Sequence, residues 1–225
     1  ASRGLGDVYK RQALIVTVLF MNGERLGIRV IRDEDAEESE ASQYFTSNDQ
    51  NTDWAATATI TLSGETATVS GPGAYVNGGS VTIVSAGYYD VSGTLTDGSL
   101  TVDAEKNAKV FIRLNGVSIT CSNDAAIRIN QADKVFLTLA AGTENTVISG
   151  ETYSAAALAD KTDGAIFSHD DLTINGSGAL TVTAAYKHGI AGGDSLRIAG
   201  GTITVTAPSD TIHVNDSLHI TGASL

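Results

Sequence analysis

Residues 164–174 read GAIFSHDDLTI, residues 188–198 read HGIAGGDSLRI and residues 210–220 read DTIHVNDSLHI. The three stretches align without a gap, at steps of 24 and 22 residues. Ile166, Ile190 and Ile212 form one column, Leu172, Leu196 and Leu218 a second, and Ile174, Ile198 and Ile220 a third. A short fixed period in a chain rich in Thr, Val, Gly and Asn/Asp marks a stack of short strands, because one such repeat cannot bury its apolar face alone.

The repeat extends backward. Val135-x-Leu137-x-Leu139 aligns with Leu172-x-Ile174, and Val110-x-Ile112-x-Leu114 aligns with both. A second strand follows as Val117-x-Ile119, Leu180-x-Val182 and Ile203-x-Val205, and a third carries Ile127, Ile166, Ile190 and Ile212. Each coil then holds three strands whose alternate residues point inward and stack on the next coil, about 4.8 Å away, through parallel hydrogen bonding. The reading is all-β: a right-handed parallel β-helix over residues 105–225, since the strict six-residue units of the left-handed form are absent. Leu225 falls at an inward position with no capping element after it, so the helix is expected to be C-terminally truncated.

Residues 54–104 alternate apolar and polar between Ser-Gly, Pro-Gly, Gly-Gly and Ala-Gly turns and lack the later repeat, which suits an N-terminal β cap. Residues 33–53 are acidic and polar, with little to bury, and are expected to be a disordered linker. Residues 13–32 open on the apolar run Ala13–Met21, which suits the core of an export signal or an ordinary strand and is too short to cross a membrane. Residues 1–12 match nothing after them and read as a non-native junction.

A formal net charge of −12 argues against nucleic acid, which demands a basic stripe. The same charge suits divalent cations. Cys121 is the single cysteine, so no disulfide forms within the chain, and it reads as a small apolar residue. Nothing in the sequence asks for more than a monomer.

Asp133, Asp170, Asp194 and Asp216 each stand two residues before the first inward residue of their strand. Stacked carboxylates repel one another unless a cation lies between them, and Ca²⁺ accepts several oxygens in loose geometry. Asp163, His188 and Asp210 make a further column. The candidate metal ligands are Asp170, Asp171, Asp194, Asp210, Asn215 and Asp216. The alternative is that each turn Asp closes an Asx-turn and faces water. The outward column Phe111, Phe136, Thr173, Arg197, His219, with Arg113 beside it, offers a sugar platform: aromatic faces for C–H patches and guanidinium forks for carboxylates. The alternative is that Phe111 and Phe136 pack beneath a loop such as Thr143–Asp163, expected to bulge from the repeat. No nucleophile elbow, zinc-type His spacing or phosphate loop is present, and the four histidines read as structural.

Longer motifs run through the same stretch: Ala86-Gly87-Tyr88, Val91-Ser92-Gly93-Thr94-Leu95-Thr96-Asp97-Gly98, Leu114-Asn115-Gly116-Val117, Gly142-Thr143-Glu144-Asn145-Thr146, Ala165 to Gly176 and His188-Gly189-Ile190. From Trp54 onward the chain resembles the clostridial-type carbohydrate-binding β-helix proteins, which are similar in fold to pectate lyases. The resemblance implies a secreted or surface-attached protein that binds cellulose or acidic plant polysaccharides such as polygalacturonate, with bound Ca²⁺. It implies binding more than turnover. The chain departs from the family pattern at Asn107-Ala108-Lys109, Gly193-Asp194-Ser195 and Asn215-Asp216-Ser217, where acidic or Lys-Asp-Asp turns are expected. The leading expectation is therefore a non-catalytic, Ca²⁺-assisted polysaccharide-binding module. A Ca²⁺-dependent lyase and a structural surface stalk are the alternatives.

Overall fold

A computed structural model describes residues 43–225, and Phe45–Leu225 form one unit within it. The segments read as junction and export signal, and the first half of the acidic stretch, lie outside the described residues. The short helix α1 (Ser47–Gln50) is followed by β1 (Ala58–Gly64), β2 (Thr66–Ser70), β3 (Ala74–Asn77), β4 (Ser80–Ile83), β5 (Gly87–Leu95), β6 (Ser99–Asp103), β7 (Lys109–Cys121), β8 (Ile127–Gln131), β9 (Lys134–Leu139) and β10 (Glu144–Ser149). The short helix α2 (Ala155–Ala159) leads to β11 (Gly164–Ser168), β12 (Asp171–Gly176), β13 (Ala179–Ala184), β14 (His188–Gly192), β15 (Leu196–Ile198), β16 (Thr202–Thr206), β17 (Ile212–Val214) and β18 (Leu218–Ile220).

The strands pair as three parallel ladders: β9-β12-β15-β18, β10-β13-β16 and β6-β8-β11-β14-β17, with the long β7 pairing with both β9 and β10. The register matches the sequence columns. Leu172 faces Leu196 and Leu196 faces Leu218; Ile166 faces Ile190 and Ile190 faces Ile212. The inward stacks Val110–Val135–Leu172–Leu196 and Ile112–Leu137–Ile174–Ile198 are at most 1% exposed. Each such side chain contributes about 1.5–3 kcal/mol by leaving water.

Three regions differ from the sequence reading. The stretch taken as a cap joins the ladders: β1 pairs with β5, β5 with β7, β4 with β6 and β6 with β8, all parallel, and only β1–β2 and β3–β4 are antiparallel. Alternation without the later motif was enough to stack. The loop expected from Thr143 begins with a ladder strand, β10. Its inward position opposite Leu180 is Asn145, 1% exposed, which hid the pattern. Asn145 Oδ1 accepts from the Gly116 and Val117 backbones, both at 3.0 Å, and its Nδ2 donates to Ala179 O at 3.0 Å, so the polar group is satisfied. Finally, the described part of the acidic linker is ordered. Phe45 is 7% and Asp49 0% exposed, because Asp49 has partners on the ladder.

Candidate functional site

The outward column begins at Tyr88 and runs through Phe111, Phe136, Thr173, Arg197 and His219 in unbroken register. Its rings stack: Phe111 and Phe136 lie 4.4 Å apart at 6°, Tyr88 and Phe111 4.6 Å apart at 20°, and Trp54 tilts onto Tyr88 at 5.4 Å. The expected exposure of this platform is corrected: Phe111 is 5% and Phe136 1% exposed. The covering segment is residues 45–54, not the loop after Thr143.

Asp49 pins that strap. It accepts from Lys134 Nζ at 2.6 Å, Thr173 Oγ1 at 2.5 Å, and the Thr46 backbone and hydroxyl at 2.8 and 2.7 Å. Burial pushes its carboxyl up, but these donors outweigh burial and hold it below the usual range. Asn175 Nδ2 donates to the Asp49 carbonyl at 2.9 Å. Arg113, read as a sugar fork, serves the strap as well: it stacks on Trp54 at 4.0 Å, donates to Trp54 O at 2.8 Å and pairs with Asp90 at 3.3 Å.

Beside the strap opens a cleft of about 340 Å³, lined by Gln50, Thr52, Arg113, Thr138, Asn175, Ser177 and neighbouring backbone. Thr138 Oγ1 and Asn175 Oδ1, both buried, have no hydrogen-bond partner. Sequence reading missed this cleft, since its far wall is the strap it left unfolded. Farther along the column, Arg197 and His219 are half-buried, and Arg197 Nη1 donates to Asp171 Oδ2 at 3.0 Å.

The acidic turn column is present beside that end. Ser195 N donates to Asp171 Oδ1 at 3.2 Å and Asp194 Oδ1 at 3.1 Å, and Ser195 Oγ donates to Asp216 Oδ2 at 3.0 Å. Asp170 Oδ2 accepts from Ala132 N at 2.9 Å. Burial, then the charges of Asp171 and Asp216, push the Asp194 carboxyl up. An all-oxygen set under mutual repulsion fits a hard cation. It is nonetheless looser than a closed site: among the described residues only His188, Asp210 and His213 bring one ligand atom each within 4.8 Å of one another. Asn215 is exposed, on the β17–β18 turn.

Asp210 therefore stands apart from the other five candidate ligands. Its Oδ2 lies 3.2 Å from His188 Nδ1 and 3.1 Å from His213 Nδ1, and the two rings stack at 4.3 Å. The turn before β14 sets His188: Lys187 takes φ +46°, and a Cβ on Gly189 would meet Val205 Cγ1 at 2.1 Å, so only glycine fits there. Burial, then the neighbouring His213, holds His188 below the usual imidazole range, against the pull of Asp163 and Asp210. The column Asp163–His188–Asp210 is corrected by one residue: Gly164, not Asp163, pairs with His188. His213 was not legible, because its backbone partner is Ala191 and no other histidine repeats at that position.

The fold and its turn sites define an all-β, ladder-built protein of polysaccharide lyase-like architecture. The solved structure of the polysaccharide lyase-like protein from C. thermocellum, a gadolinium derivative, is similar over 74% of this chain and 79% of that one, with TM-score 0.65 and 29% identity. A family model described as carbohydrate-binding domain-containing protein matches residues 77–225, and the chain belongs to that family. A carbohydrate-binding domain-containing protein of Acetivibrio thermocellus is 41% identical over 128 residues, 56% of this chain. The chain spans 45% of that relative's length.

Proposed function

We propose that the chain is an extracellular, non-catalytic module that binds plant cell-wall polysaccharide, favouring acidic polymers such as polygalacturonate over neutral cellulose. Membership of the carbohydrate-binding family over residues 77–225 is the observation that carries this reading. The three ladders are inferred to wind as a right-handed parallel β-helix, a frame on which like side chains recur along a polymer's length. With a net charge of −12, a polyuronate is repelled unless a cation mediates. Ca²⁺ would neutralise the Asp170, Asp171, Asp194, Asn215 and Asp216 edge and bridge it to sugar carboxylates. Arg197 and His219 flank that edge, and the strap cleft with Thr138 and Asn175 offers hydrogen bonds to sugar hydroxyls.

The polysaccharide lyase-like neighbour favours one second reading, Ca²⁺-dependent cleavage of a polyuronate. Retention of the protein on insoluble polygalacturonate and on cellulose, with Ca²⁺ and with chelator, tests both. The expected result is uronate retention that chelator abolishes, with no unsaturated product in the soluble fraction. Unsaturated product would establish the lyase. Failure to bind either matrix would leave a structural stalk.

A further inference from the structure

Three ligand atoms converge near the N-terminal ends of the paired strands β14 and β17, whereas the acidic turns follow those strands. Asp210 Oδ2 lies 3.2 Å from His188 Nδ1 and 3.1 Å from His213 Nδ1. Two successive repeats supply them: His188 opens β14, while Asp210 and His213 flank the entry to β17. Tetrahedral zinc with bonds of about 2.0–2.1 Å sets neighbouring donor atoms about 3.3 Å apart, so both contacts have the length of a tetrahedral edge. We propose that His188, Asp210 and His213 form a binding site for a borderline divalent metal of the Zn²⁺ class, separate from the Ca²⁺ expected on the oxygen-only ladder.

Donor chemistry separates the two. Imidazole suits zinc and its neighbours, whereas Ca²⁺ takes oxygen ligands almost exclusively. The proton inventory at His188 fits as well. The Asp210 backbone N–H donates to His188 Nδ1 at 3.3 Å, which marks Nδ1 as the nitrogen with the lone pair. The proton then sits on Nε2, whose nearest carboxylate is Asp163 Oδ2 at 3.9 Å. At that distance Asp163 acts on the ring by its charge and not by a hydrogen bond, and a carboxylate behind a ligating imidazole raises its basicity. Lys187 Nζ lies 3.5 Å from the same Asp163 Oδ2.

Binding asks for one movement. The His213 ring must leave its stack on His188, a 13° near-parallel arrangement, so that both lone pairs meet. Its side chain is 42% exposed, which leaves it room. His213 also lines a cleft of about 210 Å³ together with Asn215, His169 and Asp163. Three protein ligands leave a fourth position for water or an oxygen ligand entering from that cleft.

The test is calorimetric titration of the untagged, chelator-stripped chain with Zn²⁺, in the presence of excess Ca²⁺, followed by Co²⁺ absorption spectroscopy. One Zn²⁺ per chain, not displaced by Ca²⁺, and the visible bands of four-coordinate Co²⁺ are expected. His213→Ala, an exposed change on the last repeat, should abolish the bands. Asp163→Asn should weaken Zn²⁺ by about tenfold, as loss of an outer-shell partner does. Asp194→Asn should leave Zn²⁺ binding unchanged while reducing polyuronate retention. The absence of Zn²⁺ binding, or binding that survives in folded His213→Ala, would overturn the site. Neither result would touch the Ca²⁺ reading.

Discussion

Asp49 on the strap and Asp194 on the turn ladder are the same residue in opposite settings. Asp49 is fully buried, yet four donor contacts hold its carboxyl low. Asp194 is exposed, yet burial of its immediate surroundings and the charges of Asp171 and Asp216 hold it high. The strap region is thus electrostatically complete within the chain, while the ladder region is left with excess negative charge. Completeness identifies framework; excess identifies the place where something from outside is needed. The same contrast runs along the outward column, whose aromatic half is sealed beneath the strap and whose Arg197–His219 half stays half-exposed.

The largest effect should come from removing the anchor. Asp49→Ala leaves the Lys134 ammonium, only 8% exposed, without its carboxylate. Breaking a buried pair from one side costs about 3–5 kcal/mol. The denaturant midpoint should fall accordingly, and Trp54 emission should shift to the red as the strap lifts from Tyr88 and Phe111. If stability were unchanged, the strap would not be integral to the fold, and the aromatic column would become available as a platform.

Acid should act on the two regions with opposite sign. Asp49 is depressed, so its contribution is complete above the ordinary aspartate value of about 3.9 and is lost as pH falls through its lower folded value. Asp194 is raised, so its ionisation penalises the folded state, and that penalty disappears as pH falls through its raised value. Trp54 fluorescence followed against pH should therefore report strap release only below about pH 3.9. In Asp49→Asn that late acid step should be missing.

Arg113→Met comes next. It removes the guanidinium from the Trp54 carbonyl, the Trp54 ring and Asp90 while keeping most of the apolar stem. Loss of hydrogen bonds from a charged donor costs about 2 kcal/mol. Proteolysis near residue 54 should speed up while cleavage in the ladders is unaffected. Polyuronate retention should be preserved, because Arg113 is committed to the strap; a large loss of retention would return it to the sugar face.

The ladders were legible because Leu172, Leu196 and Leu218, and their Ile partners, repeat at nearly constant spacing, and parallel stacking turns such spacing into register. The strap was not legible, because Asp33–Asp53 has the composition of a solvated linker, and its order depends on Lys134 and Thr173, more than eighty residues away in the chain. Composition cannot register a partner that only the fold supplies. The same limit left Phe111 and Phe136 open between a platform and packing beneath a loop, and named the wrong loop: alternation says which face of a strand a residue takes, not which segment lies over that face. Strand β10 was missed for the converse reason, since Asn145 meets in hydrogen bonds what the pattern demanded in apolar area. The acid column and the placing of Asp210 beside His188 in a further column were both visible in the repeat, but the approach of His213 to Asp210 was not.

The smallest stability effect is the most discriminating. Asp194→Asn removes one charge from a crowded turn and keeps an oxygen that can accept from Ser195 N, as Asp194 Oδ1 does at 3.1 Å. Because the side chain is exposed and screened by salt, the gain without Ca²⁺ at neutral pH should be within about 0.5 kcal/mol. The informative quantity is the difference that Ca²⁺ makes. A cation bound at the ladder of the native chain raises the thermal midpoint by mass action, more at higher free Ca²⁺. In Asp194→Asn that increment should shrink, so that the variant is slightly more stable without Ca²⁺ and gains less when it is added. Parallel melting curves at graded Ca²⁺ measure both numbers at once. An undiminished Ca²⁺ increment would place the ion away from Asp194, and the excess charge on this edge would then be met by solvent alone.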